Sequence, residues 1–232
     1  MTSQPTTLKF LTLLSLILFA LATLLDFTYP DTERTLGEVQ RLFYIHLGSF
    51  YGAFLVFGLA VIVGIVYLRT RQPFWDYLGL ASMEIGVGFS AITIVTGMFV
   101  ARPVWGVYWI WDPRLTSVAI MWLTYASYFF LRNGIEAVDL RRRFAAIYGI
   151  LAFFSVIATM GILRFRADTI YPLASSPAEF LSSPSLSPRI QQTILVNIAA
   201  YGLLAVVLVW HRLRLEIHKE ALQAQRLELL GK

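Results

Sequence analysis

Residues Phe43–Leu68 read FYIHLGSFYGAFLVFGLAVIVGIVYL, 26 positions without a single Asp, Glu, Lys or Arg. A helix of that length rises about 39 Å, more than the ~30 Å hydrocarbon thickness of a bilayer. The run is apolar all round, so it lacks the polar face that a surface helix of a soluble protein keeps. Outward from it stand five more apolar blocks: roughly Leu8–Leu25, Leu78–Ala101, Leu115–Leu131, Phe144–Leu163 and Ile190–Trp210. Together they predict an all-α polytopic membrane protein with six transmembrane helices and external loops. Residues 1–232 form one integral membrane domain, and no internal repeat is visible. Residues 211–232 read as a basic helical tail, a solvated or membrane-surface extension of the last span. The first block has some features of a signal peptide, with Ala20-Leu21-Ala22 as a small-residue cleavage site. Its leading segment carries only Lys9 and its apolar run is long, so a retained helix is expected.

Composition agrees with this reading. Of 232 residues, 57% are apolar and 14% charged, where a soluble domain carries about a quarter charged. The formal charge of +5 would raise the question of nucleic acid in a soluble protein. Here Lys and Arg gather at the ends of apolar blocks, so they set orientation and no nucleic-acid partner is expected. With six spans both termini share one side. Of the 19 Lys and Arg, that side holds twelve and the other seven (12 + 7 = 19), which places both termini in the cytoplasm. The chain has no Cys, which excludes thiol exchange, disulfides and thiolate metal sites. It has no Gly-rich phosphate loop of the Walker type, so ATP hydrolysis would fall to another subunit.

The external segments are Asp26–Leu42, Arg102–Arg114 and Arg164–Arg189. The second contains Trp105-Gly106-Val107-Tyr108-Trp109-Ile110-Trp111-Asp112-Pro113-Arg114, with three of the six Trp within seven residues. One reading is an aromatic belt at the water–lipid interface. The other is a flat aromatic platform for a planar, greasy ligand with charged edges. Trp faces supply stacking area, and Arg102 and Arg114 flank them as carboxylate partners. Asp112 before Pro113 also reads as an N-cap opening the fourth span, which would fix the loop without excluding a functional role.

This segment resembles the tryptophan-rich signature of the cytochrome c assembly protein family, most of all its haem exporter protein C type. The likeness extends upstream through Thr96-Gly97-Met98-Phe99-Val100-Ala101-Arg102-Pro103 and downstream through Leu115-Thr116-Ser117. A second block, Gly37, Arg41-Leu42 and Tyr44-Ile45-His46, matches at the start of the second span. Tyr108 stands where the family commonly has Trp. The resemblance implies a haem-binding protein of cytochrome c maturation in a bacterial or archaeal inner membrane. It implies b-type haem, bound transiently at the outer face and passed to a periplasmic haem chaperone. It also implies ABC-type transporter subunits with a separate ATPase as partners, beside membrane lipid. No catalytic step is assigned to such a subunit, so an enzyme is not expected. The haem contacts implied are Trp105, Tyr108, Trp109, Trp111 and Asp112, with Arg41, Arg102 and Arg114 as the basic groups.

Three His remain to be placed. His211 and His218 lie among Lys and Arg in the tail and read as solvated. His46 sits near the outer end of the second span, with Phe43, Phe50, Phe54 and Phe57 near one helical face. By residue type alone it is a lone His at a helix end. By resemblance it is the axial ligand of haem iron, a role that neutral imidazole suits. The resemblance also predicts a second external His, and Arg164–Arg189 contains none. Tyr171 is the alternative ligand there; a vacant position, water or a partner's side chain are the others. Ser176-Pro177-Ala178-Glu179 reads as a capping box for a short interfacial helix. Glu84 is the acidic residue inside a span, expected to be paired or interface-facing. Gly48 with Gly52, and Gly86 with Ser90, have the spacing of close helix packing.

The alternative to a haem-binding assembly protein is a permease subunit of an ABC-type complex, moving haem or another solute. Broken mid-membrane helices or inverted repeats would mark it, and neither is evident. Reporter fusions test the topology. A fusion at Lys232 should report a cytoplasmic location and one within Arg164–Arg189 an external one; an external C-terminus removes the six-span arrangement.

Overall fold

The computed structural model describes residues 4–34, 36–165 and 187–230. They form six long helices: α1 (Thr6–Thr28), α2 (Gln40–Thr70, after a 3₁₀ turn at Gly37–Val39), α3 (Pro73–Trp105), α4 (Pro113–Asn133), α5 (Val138–Phe165) and α6 (Pro188–Leu230). No strand occurs among the described residues. All but α4 are long and apolar enough to cross a membrane by length and composition. The fourth expected span is more polar. Two of its hydroxyls are satisfied locally: Thr124 Oγ1 donates to the Ile120 carbonyl at 2.8 Å and Ser127 Oγ to that of Thr124 at 2.8 Å. That is how a helix keeps polar side chains out of contact with hydrocarbon.

Each helix starts before its apolar block and ends after it, because caps rather than hydrophobicity stop a helix. Arg71 ends α2 in a left-handed conformation (φ 56°), its N–H bonded to the Tyr67 carbonyl at 2.8 Å. Pro73 opens α3 two residues later, at the position where a missing N–H costs nothing. With so short a link α2 and α3 pack as an antiparallel pair. The ends of α1, α3 and α5 thus meet the starts of α2, α4 and α6 at one end of the bundle, here the tryptophan end; the other is the termini end.

The centre is made by aromatic rings seated on glycines. A Cβ at Gly86 would stand 2.5 Å from the Phe57 ring, one at Gly48 2.5 Å from Tyr201, and one at Gly52 2.9 Å from Phe89. Phe57 also stacks on Tyr125, with centroids 3.7 Å apart and planes at 21°. The expected small-residue spacing therefore serves as sockets for rings, joining α2 to α3, α4 and α6. Phe57 is buried while Phe54 is exposed, so the Phe series on α2 straddles core and lipid.

Two expectations need correction. Asp26, assigned to an external segment, lies in the last turn of α1, buried, and accepts from Asn197 Nδ2 on α6 at 2.6 Å. The helix persists past it because Arg41 Nη1 donates to the Phe27 carbonyl at 2.8 Å, completing the end of α1. His211 is not simply solvated: its Nε2 is 2.8 Å from Thr12 Oγ1 and ties α6 to α1. The tail is the helical extension of the last span that the sequence predicts, α6 continuing through it without interruption to Leu230. His218, on that tail, has Nδ1 2.6 Å from the Arg214 carbonyl.

Charge gathers at the termini end as ion pairs. Glu84 is paired, as expected, and its partner is Arg212 on α6, with Nη2 to Oε1 at 2.9 Å. Asp76 at the start of α3 is buried and accepts two bonds from Arg132 on α4, at 2.7 and 2.6 Å; Arg142 on α5 approaches at 3.4 Å. Both charges of the Asp76–Arg132 pair are buried, so removing one strands the other at a cost of about 3–5 kcal/mol. Asp76→Asn should therefore lower the thermal unfolding temperature of the detergent-solubilised protein. Combining it with Arg132→Met should recover most of the loss, and an unchanged unfolding temperature in the single variant would refute the role of the pair.

Candidate functional site

At the tryptophan end the loop between α3 and α4 is pinned on both sides. Gly106 closes α3 with φ 77°, which a residue bearing a Cβ adopts only under strain, and its N–H bonds the Arg102 carbonyl at 2.9 Å. Asp112 opens α4 in extended conformation. Its Oδ1 accepts from the Leu115 N–H at 2.7 Å, with Pro113 in the first turn. The N-cap expected from Asp-Pro is therefore present.

Between these pins the aromatic residues are held outward. Trp111 is 76% exposed and Tyr108 50%; Trp105 and Trp109 are half-buried. Tyr108 meets Phe99 edge-on at 5.9 Å, and the Arg102 guanidinium lies over its ring at 5.4 Å, a cation–π contact that holds the ring in place. Trp109 and Trp111 stand 5.5 Å apart with planes at 80°. They present two facets, one face-on and one edge-on, in place of a single flat sheet. Ala101, Trp105, Tyr108, Trp109 and Leu115 pack closely, leaving no room among them for even a water molecule. The loop therefore encloses no ligand pocket, and a large planar ligand would rest on it by a face or an edge.

Two buried polar atoms of the loop have no hydrogen-bond partner among the described residues: Trp109 Nε1, a donor, and Asp112 Oδ2, an acceptor. Each costs about 1–3 kcal/mol while unmatched. An unmatched donor and acceptor in one exposed aromatic loop fit a ligand or partner that completes them. The backbone of Arg114 lies in the first turn of α4; its side chain is outside the described residues. Tyr171 and Ser176–Glu179 are outside them as well.

Arg41 is placed differently from the expectation of a ligand-facing cation. Its guanidinium bonds Glu38 (Nε to Oε2 at 2.8 Å) and the Phe27 carbonyl, and it lies over the Phe27 ring at 4.8 Å. It joins α1 to α2 at the tryptophan end.

His46 is six residues into α2 and half-buried. Its Nδ1 is 2.9 Å from the Thr93 carbonyl and 3.5 Å from Thr96 Oγ1. A carbonyl only accepts, so Nδ1 carries the proton and the neutral ring has its lone pair on Nε2, the form in which imidazole binds a metal. A Cβ on Gly97 would stand 2.9 Å from His46 Cε1, so the glycine makes room for the ring. Gly97 precedes Trp105 by eight residues, about 12 Å of helix rise. The imidazole therefore sits a layer deeper than the loop. Thr93, Thr96 and Gly97 as its cradle escaped the sequence reading. Their i, i+3, i+4 spacing marks one small, polar face of α3, which was the available signal.

Comparison with known proteins follows the same lines. Residues 1–228 match the family described as heme exporter protein C. The chain is 27% identical to heme exporter protein C of Rhodobacter capsulatus over 201 residues, covering 85% of this chain and 81% of that protein. It is 29% identical to heme exporter protein C of Bradyrhizobium diazoefficiens, covering 90% and 78%. It is 32% identical to a putative cytochrome c biosynthesis ccmC-like mitochondrial protein of Marchantia polymorpha, covering 47% of each.

The cradle gives a test independent of the loop. In Gly97→Ala the new methyl displaces the His46 ring from the Thr93 carbonyl. Haem affinity of the purified protein, followed by optical titration, should fall by about tenfold or more, as for lost supports of metal-binding His. Unchanged affinity and spectrum would show that the cradle does not position the ring.

Proposed function

The chain belongs to the heme exporter protein C family of cytochrome c biogenesis, and from that membership and the geometry of the Gly106–Asp112 loop we propose that it holds haem at the outer membrane face for transfer to a periplasmic haem chaperone. Haem is its cargo, b-type and bound transiently. The observation that carries this reading is the pinned loop: exposed Trp111 and Tyr108, Arg102 beside them, and the unmatched Trp109 Nε1 and Asp112 Oδ2. Aromatic faces suit a porphyrin, a guanidinium suits its propionates, and an open aromatic surface suits a ligand that must leave.

His46 Nε2 is the iron ligand in this proposal. The tautomer set by Thr93 supports it. Arg102 and Arg114 pair with the propionates, and Arg41 contributes by holding α1 and α2 together at the tryptophan end. With one imidazole from this chain, release breaks one protein–iron bond, and the second axial position is left to water, to Tyr171 or to the recipient. The protein sits in the inner membrane of a bacterial or archaeal cell with both termini cytoplasmic. It works with ABC-type subunits whose ATPase is separate, and no catalytic step is proposed for it. The unbroken course of α2, α3 and α6 favours this reading over a permease built on interrupted helices.

Haem content and spectra of purified, correctly inserted variants test the proposal. Trp109→Ala/Trp111→Ala should lose most of the haem, each ring contributing on the order of 1 kcal/mol beyond its buried area. His46→Ala should lose the iron–imidazole signature. The wild type should give a high-spin or mixed spectrum; a pure low-spin bis-imidazole spectrum would overturn single-His ligation. Full haem content in the tryptophan variant would reduce the loop to an interface anchor.

A further inference from the structure

The termini end carries a surface that the haem site does not use. Beyond Trp210, α6 continues for twenty residues, 211–230, about 30 Å at the helical rise. One face of this extension is held by the bundle. Leu213 is buried, Arg212 bonds Glu84 and Glu216, and Glu220 bonds Arg142 at 3.0 Å. The opposite face carries Leu215, Leu222 and Leu229, spaced by sevens and exposed by 65%, 65% and 75%; past Glu220 the helix is exposed all round, with Leu227 and Leu230 off this face.

Such a stripe within a bilayer would face lipid and need no explanation. Here the helix has left the apolar span. No Gly or Pro interrupts residues 211–230, so no break is available to lay the segment along the membrane surface. An apolar stripe in water at heptad spacing is a seam for another helix.

The residues bordering the stripe indicate which helix. Four positions after Leu215 and Leu222 stand Lys219 and Arg226, both exposed; Lys219 Nζ lies 3.8 Å from Glu216. Three positions after the same leucines stand His218 and Gln225. The acidic residues Glu216 and Glu220 point back to the bundle. A second copy of this chain shares the membrane orientation and would pack in parallel, setting Lys219 against Arg214 and His218 and Gln225 against their own equivalents, and both oppose pairing. We infer that the Leu215–Leu222–Leu229 stripe seats an amphipathic helix of a different protein, apolar along one face and carrying Asp or Glu opposite Lys219 and Arg226. The dock lies at the end of the bundle away from the tryptophan loop, so a partner there is engaged independently of haem.

The full-length protein in phosphatidylcholine nanodiscs can be titrated with two labelled synthetic helical peptides. They share one Leu heptad face and differ only in flanking Glu or flanking Lys. The Glu peptide should bind at least about tenfold more tightly than the Lys peptide. Leu222→Asp should weaken it by about tenfold or more while haem content and insertion stay unchanged. Lys219→Glu/Arg226→Glu should reverse the preference. In native membranes a photocrosslinking residue at position 222 should give an adduct with another protein that disappears in the charge-reversed variant. Equal binding of both peptides, a preference that survives the reversal, or adducts only with lipid or with a second copy of the chain would each overturn the inference.

Discussion

Inside hydrocarbon a peptide N–H or C=O has no water to turn to, so each must be bonded within its own helix. That constraint leaves the middle of the molecule little freedom. The six helices run through it with aromatic rings set against glycines, and the residues that differ in chemistry are pushed to the helix ends. At one end the requirement is met by Gly106, Asp112 and Arg41, which complete α3, α4 and α1. At the other it is met around Asp76, Arg132 and Arg142. The candidate site is thus the place where helix termination and ligand chemistry draw on the same atoms. One oxygen of Asp112 caps α4; the other is left over.

What could be read from the sequence was what is local along it. The apolar blocks locate the helices because hydrophobic thickness is a property of consecutive residues. The Asp112 cap was readable because its donor, Leu115, is three residues on. Asp26 was misplaced because a carboxylate next to apolar residues looks solvent-seeking until its partner is known, and Asn197 is 171 positions away. The cradle of His46 escaped for the same reason, since Thr93 lies 47 positions along the chain. The angle between Trp109 and Trp111 is a property of the folded loop; composition could announce aromatic area but not how it is divided.

The site itself has two depths. Tyr108 and Trp111 lie at the surface, where a planar molecule can arrive and leave, and His46 lies in the helical layer beneath them. The surface layer is held by contacts among loop residues and Arg102, the deeper one by the fit of α2 against α3. In the proposed haem complex, affinity for the faces and the edge of the porphyrin is therefore set separately from affinity for its iron, and a change in one layer need not disturb the other.

The unbroken course of α6 has a mechanical meaning. Thr193 and Asn197 are packed at the tryptophan end, Tyr201 rests against Gly48, and Leu222 stands clear of the bundle on the same helix. From Thr193 to Leu222 is about 44 Å of rod at the helical rise. The rod is clamped along most of that length, by Tyr201 on Gly48, His211 on Thr12, Arg212 on Glu84 and Glu220 on Arg142, so only its last turns stand free. A load on those turns is taken up first by the ion pairs of the termini end, far from the residues that hold α1 and α2 together.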